Sequence, residues 1–278
     1  MRLVLILFIF LSHFIFADNY NQTKSNRVSR SLFYSKIKAN SGNIDSLLKL
    51  GLLYKEGKVV KKDYQKSFNY FLKAAIKGSI EAKNYLGVMY LNGLGVEQNY
   101  KKAKNLFLEA REAGSIKAIN NLAYIYVNGL GLRQDYAKAI AYYKEAAQNS
   151  SATALYNLAL LIEKGKGVKR DIALAIKLYN LAIEQKHPLA EANLAIIYLE
   201  GNGVKPDTKK ALELLKSSAK KGNINALNTL GFMFATGKGV EKNEKIAYQF
   251  WKRASMFGNS SAKKNLEILC RDQKKLCK

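Results

Sequence analysis

The chain has 278 residues, is 48% hydrophobic, contains two prolines and carries a formal charge of +25. Such a length accommodates one or two globular domains or one elongated array. The charge points to acidic partners; for an exported chain, anionic envelope polymers, lipid headgroups or acidic proteins fit better than nucleic acid, although any polyanion binds so basic a surface at low salt. Abundant Lys, Asn, Ile, Tyr and Phe also fit an AT-rich coding sequence, which supplies lysines without any specific partner.

Met1-Arg2 precedes an apolar run from Leu3 to Leu11 that continues through Phe16 to Ala17. A basic start, an apolar middle and a small closing residue predict a signal peptide over 1–17, cleaved on export and leaving no stable membrane span. An uncleaved anchor is the alternative, but a span needs about 20 apolar residues and Ser12-His13 interrupts a shorter run. With no cysteine near the apolar run, a lipoprotein attachment site is not expected. The mature protein is therefore expected in the periplasm or secreted. Residues 18–30, DNYNQTKSNRVSR, are polar and non-periodic and read as a flexible linker. Residues 31–42 align with the second half of a later repeat, Tyr34 with Tyr70, Ala39 with Ala75 and Gly42 with Gly78, and are expected to form an N-terminal capping helix.

A step of 36 residues brings Leu50, Leu86, Leu122, Leu158, Leu194, Leu230 and Leu266 into one column, with Gly51, Gly87, Ala123, Ala159, Ala195 and Gly231 in the next. A period of this size predicts a solenoid whose repeats stack to share a core. Six repeats fill 43–258, starting near Asn43, Ser79, Ser115, Ser151, His187 and Asn223. Ser or Asn at five of those starts can accept from the free N–H groups of a first helical turn. Just upstream, Gly42, Gly78, Gly114, Gly222 and Gly258 supply left-handed terminators. Ser150 and Lys186 replace that glycine and should strain their turns.

Within a repeat, Ala82, Leu86, Val88, Met89 and Tyr90 predict a first helix with a broad buried face. The small column at Gly87 is expected to let a second helix approach, a gain set against the roughly 1 kcal/mol cost of glycine in a helix. A loop Gly93-Leu94-Gly95-Val96 recurs from Gly129, Gly165, Gly201 and Gly237, and its hydrophobic fourth residue is expected to plug the core. Ala103, Phe107 and Ala110 then mark the second helix, matched by Ala139, Tyr143 and Ala146 and by Ala247, Trp251 and Ala254.

These residues resemble the Sel-one-like repeats of the tetratricopeptide superfamily, with A-x-x-x-L-[GA]-x-x-Y, then G-x-G-V, then an acidic or amide residue and A-x-x-x-[FYW]-x-x-A. Val59 and Ile162 depart from the pattern. The resemblance implies an all-α, right-handed superhelical solenoid of antiparallel helix pairs, used mainly as a scaffold for a protein partner. The exported Helicobacter cysteine-rich proteins, whose members bind penicillins and hydrolyse β-lactams weakly, are similar in leader, repeat length and terminal cysteine pair. That similarity implies a weak β-lactam-binding hydrolase as the alternative function, although this chain lacks their cysteine pair in each repeat. Ser-x-x-Lys spacings at Ser35/Lys38, Ser217/Lys220, Ser260/Lys263 and Ser261/Lys264 come without a Ser-Asp-Asn or Lys-Thr-Gly partner, as chance yields in a lysine-rich chain.

Residues 259–278 read as a C-terminal half-repeat cap. Seven helical residues would separate the Cα atoms of Cys270 and Cys277 by about 10.5 Å, too far for a disulfide, so a bond requires the helix to stop between them. Export favours that bond over free thiols. His187, the one histidine beyond the leader, stands at a helix-cap column and reads as structural. No metal set, cofactor or catalytic residue is expected.

For a partner, the first-helix face, concave in such solenoids, offers two columns seven residues apart. One holds Lys49, Tyr85, Asn121, Asn157, Asn193, Thr229 and Asn265; the other holds Glu56, Asn92, Asn128, Lys164, Glu200 and Thr236. Tyr85, Asn92, Asn121, Asn128, Asn157, Asn193 and Thr229 are the binding candidates. Their amides could bond the backbone of an extended peptide, or could instead join neighbouring repeats. Lysines gather on the second helices, Lys101, Lys102, Lys104, Lys209, Lys210 and Lys216 among them, and predict a basic outer surface.

Overall fold

A computed structural model describes residues 30–277, so the expected leader and the linker up to Ser29 lie outside the described residues. Among the described residues all regular structure is helical, fourteen α-helices and one 3-10 turn. The chain divides into two compact halves at Leu122/Ala123. The N-terminal half holds α1 (residues 30–40), α2 (Ile44–Glu56), α3 (Tyr64–Ile76), α4 (Ile80–Asn92), α5 (Tyr100–Glu112) and the start of α6 (Ile116–Asn128). The C-terminal half continues with α7 (Tyr136–Gln148), α8 (Ala152–Glu163), α9 (Ile172–Glu184), α10 (Ala190–Glu200) and α11 (Thr208–Lys220). It closes with α12 (Ile224–Thr236), α13 (Glu244–Met256), α14 (Ser260–Asp272) and the 3-10 turn Lys274–Leu276. From α2 on, even-numbered helices are the first and odd-numbered helices the second of each repeat. Within each half, helices pack on their sequence neighbours.

Single polar residues set most helix starts. Asn43, Ser79, Ser115, Ser151, Asn223 and Asn259 accept, through their side-chain oxygens, from the N–H groups of Ser46, Ala82, Ala118, Ala154, Ala226 and Ala262. The second helices are capped in the same way by Asp63, Asn99, Asp135, Asp171, Asp207 and Asn243. Each such cap stabilises its helix by about 1 kcal/mol. The exception is α10. It begins at Ala190, three residues after the expected start at His187, with Leu189 before it and no side-chain cap. Pro188 lacks an N–H and fixes its own backbone angle. Ser150 and Lys186 adopt left-handed backbone angles, φ 58° and 60°, a conformation costing a non-glycine residue about 1–2 kcal/mol.

The leucine column forms the core: Leu50, Leu86, Leu122, Leu158, Leu194 and Leu230 are each 5% exposed or less. The neighbouring glycines have a more specific role than close helix approach. A Cβ on Gly51, Gly87 or Gly231 would lie 2.5 Å from the ring of Phe71, Phe107 or Trp251, so each glycine seats the aromatic ring of its partner helix. The second loop glycine touches the preceding repeat. Gly95 has φ 67°, and a Cβ there would lie 2.3 Å from the Tyr64 backbone at the start of α3. Val96 and Val240 are partly buried against their cores, whereas Val168 is 40% exposed and plugs nothing. At the end of the chain, α14 stops at Asp272 and the 3-10 turn brings Cys277 back. The Cys270 and Cys277 sulfurs are bonded, with Cα atoms 5.6 Å apart.

Candidate functional site

Two residues beyond the core leucine, every first helix carries an apolar side chain. In the N-terminal half these are Leu52 and Val88; in the C-terminal half, Tyr124, Leu160, Ile196, Phe232 and Ile268. None is buried. Tyr124 is 49% exposed, Phe232 45% and Ile268 43%. Sequence periodicity put Val88 on the buried face. Two residues rotate a helix by about 200°, so Val88 stands across the helix from Leu86 and reaches the far edge of the first-helix face. The column is open at Tyr124, Phe232 and Ile268 of the C-terminal half, whereas Leu52 packs partly buried against the N-terminal core.

Beside it, the amide column is largely engaged within the protein. Asn121 Nδ2 donates to Asn84 Oδ1 at 2.9 Å, Asn193 Nδ2 to the Tyr156 hydroxyl at 3.1 Å, and Asn265 Nδ2 to Asn228 Oδ1 at 3.2 Å. Each bond runs from one first helix to the first helix of the preceding repeat. Asn157 is half-buried in the same column. Asn92 and Asn128 are exposed and donate to the Val88 and Tyr124 carbonyls of their own helices at 2.8 Å. The Thr229 hydroxyl does the same to the Asn225 carbonyl at 3.0 Å. Tyr85 stacks on Phe71 with centroids 4.6 Å apart, and Lys55 Nζ sits 4.9 Å from its ring. Burial, and then the Glu81 carboxylate, raises the Tyr85 phenol above its ordinary pKa.

A denser polar cluster lies where α8, α9 and α10 meet. The Tyr179 hydroxyl donates to Glu163 Oε2 at 2.6 Å, Asn193 Nδ2 also comes within 3.5 Å of that hydroxyl, and the His187 ring stacks on Tyr156 at 4.3 Å. Tyr179 is fully buried. Burial and the bond to Glu163 push its phenol far up, so it stays protonated and donates. Burial lowers the pKa of His187. Its Nδ1 accepts from the Leu189 N–H at 3.4 Å, a bond that needs the neutral ring. Through this bond His187 steadies the turn into α10 in place of a side-chain cap. Sequence reasoning missed Glu163 and Tyr179 as a pair. The available signal was a carboxylate in a column that otherwise holds Leu91, Val127, Leu199 and Ala235, with Lys55 in the first repeat.

The Ser-x-x-Lys serines are placed separately. Ser35 Oγ donates to the Ser31 carbonyl and Ser217 Oγ to Glu191 Oε1, both at 2.8 Å. Ser260 and Ser261 are exposed in the first turn of α14. Among the described residues, no group of three or more His, Cys, Asp and Glu side chains could hold a metal ion, and no helix is long and apolar enough to cross a membrane.

Paired helices, capped starts and seated aromatic rings repeat with one pattern, and the family model for the Sel1 repeat matches six consecutive segments, 44–79, 80–115, 116–151, 152–187, 188–223 and 224–259. The chain belongs to the Sel1 repeat family. Among solved structures, a Sel1 repeat protein from Oxalobacter formigenes is similar at 29% identity and TM-score 0.73, over 84% of this chain and 98% of that one. A protective antigen of uropathogenic Escherichia coli, called c5321, is similar at 28% identity and TM-score 0.65, over 87% of this chain and 52% of that one. The immunity protein Pa5087 of Pseudomonas aeruginosa, at 18% identity and TM-score 0.56 over 79% and 82% of the two chains, shares the fold. No match was found among functionally curated proteins. The sequence of Sel1 repeats explains why one apolar column recurs along the first-helix face: each repeat presents the same position.

Proposed function

We propose that this Sel1 repeat protein is an exported scaffold that holds a protein partner on the first-helix face of its C-terminal half, in the periplasm or outside the cell. The observation that carries this reading is the set of exposed apolar side chains at one repeated position of the C-terminal half, Tyr124, Phe232 and Ile268. Water-exposed apolar side chains at one repeated position favour a covering surface, since burying each contributes about 25 cal/mol per Å². The signal-like start of the chain and the bonded Cys270–Cys277 pair support an oxidising, extracytoplasmic location. The description of the E. coli neighbour as a protective antigen is in keeping with such a location.

The test is capture from the native envelope and medium with mature residues 18–278, followed by a high-salt wash. A protein retained by the native sequence and reduced at least about tenfold by Phe232→Ser/Ile268→Ser, with unchanged circular dichroism, is the expected result; such exposed changes typically alter stability by no more than about 0.5 kcal/mol. Equal retention by the variant would remove the first-helix face from the binding site.

An anionic envelope polymer is the second reading, favoured by lysines held over tyrosines at one repeated position. Lys66 and Lys102 sit 5.6 and 5.3 Å from the ring centres of Tyr54 and Tyr90, and Lys138 and Lys210 sit 5.4 and 4.4 Å from those of Tyr126 and Tyr198.

A further inference from the structure

In the C-terminal half, three successive junction turns surround an open cavity of about 410 Å³, within the range of small-ligand sites. Pro188, Leu189 and Phe257 form its apolar wall, and Lys221, Asn223 and Asn259 its polar one. Leu189 is 42% and Phe257 62% exposed. The starts of α10, α12 and α14 all lie at these turns, and helix N-termini favour negative charge.

One lysine in this cavity is held by an unusual partner. Glu191 is 5% exposed, the one buried charged side chain among the described residues. Its column elsewhere holds the core residues Leu47, Ile119, Leu155 and Leu227, or the lysines Lys83 and Lys263. A buried carboxylate at a core position is costly unless paired. Glu191 Oε1 accepts from Lys221 Nζ and from Ser217 Oγ, both at 2.8 Å, while its Oε2 has no partner. The corresponding position elsewhere holds Lys77, Ala113, Asn149, Gln185 or Phe257, so the Glu191 carboxylate beneath Lys221, and not the lysine alone, sets this site apart. The Lys221 side chain remains 51% exposed, so the pairing fixes the ammonium at the cavity with protons to spare. Asn223 spends its Oδ1 on the α12 cap, and its Nδ2 is buried, which leaves Lys221 as the charged donor of the cavity.

We propose that this cavity binds an acidic side chain of a partner peptide together with the apolar side chain next to it. The carboxylate sits on Lys221 at the start of α12, and the apolar group lies against Leu189 and Phe257. Charge complementarity supports this occupant: Lys221 lines the cavity, Lys186 and Lys220 stand within two residues of its lining in sequence, and the chain carries +25 overall. The proposal rests on the interaction-scaffold reading but uses a surface separate from the Phe232 column.

The test uses labelled hexapeptides with both ends blocked, so that the only carboxylate is a side chain: Gly-Ser-Asp-Phe-Ser-Gly, the same with Asn for Asp, and the same with Ser for Phe. Titrated into the oxidised mature chain, the Asp-Phe peptide is expected to bind about tenfold tighter than either control, a difference of about 1.4 kcal/mol. Glu191→Leu/Lys221→Gln, which restores the core residue of other repeats, should abolish the preference for Asp. Phe257→Ser, at an exposed position, should abolish the preference for Phe and serves if the double variant does not fold. Equal binding of the Asp and Asn peptides, or an Asp preference surviving in the folded double variant, would overturn the proposal. The Phe232→Ser/Ile268→Ser chain should still bind the Asp-Phe peptide, so loss of partner capture there and loss of peptide binding here are separate outcomes.

Discussion

At the residue scale, the pairing of small and aromatic positions is the most specific packing device in the chain. Gly51, Gly87 and Gly231 face Phe71, Phe107 and Trp251, whereas the corresponding alanines Ala123, Ala159 and Ala195 occur in repeats with Tyr143, Tyr179 and Leu215. Gly87→Ala is expected to destabilise by about 1–3 kcal/mol through overpacking. Adding Phe107→Leu, the combination of the fifth repeat, should recover part of that loss in urea unfolding; no recovery would place the strain elsewhere. His187 is the other informative residue. Burial lowers its pKa below the ordinary 6.5, so the unfolded chain takes up the proton first. Its contribution to stability is present above that ordinary value and is lost as pH falls towards the folded value. Denaturation midpoints at about pH 7.5 and about pH 5.5 should differ less for His187→Phe, which keeps the stack on Tyr156, than for the native chain. An unchanged difference would mean that other groups carry the acid sensitivity.

At the element scale, helix ends decide where structure starts and where it can be lost. Side-chain caps begin the other first helices from α2 onward, whereas α10 relies on the turn Lys186–Leu189 and the His187 ring. In α14, the Cys270–Cys277 bond ties the final turn to the 3-10 turn beyond. Breaking a short closed loop of this kind removes about 2–3 kcal/mol of constraint on the unfolded state. Reduction, or Cys270→Ser/Cys277→Ser, is expected to speed amide exchange in α14 while leaving α12 protected. Uniform loss of protection through the C-terminal half would mean that the bond supports the whole stack.

At the scale of the whole molecule, the charge of +25 and a chain of similar repeats make two kinds of binding separable by salt. Retention on an anionic polymer through lysines such as Lys66, Lys102, Lys138 and Lys210 should fall steeply as salt rises, because counterions are released on binding. A partner held by the apolar column should survive the same wash. If nothing survives it, the charge alone accounts for binding and the envelope-polymer reading takes precedence.

The period, the helix pairs and the buried leucines were legible in the sequence, because each of the six repeats samples the same environment and the recurrent choice of Leu, Gly or Ala reports that environment directly. The caps at Ser79 or Asn223 were legible for the same reason: a helix start is a local event, satisfied within three residues. Tertiary structure decided what a column faces. Phe232 and Ile268 are apolar yet exposed, Asn121 and Asn193 reach the preceding repeat, and Glu191 meets Lys221 across thirty residues of chain. Periodicity gives an angle around one helix, while the identity of the neighbour at that angle depends on how successive helices stack, which is a long-range property.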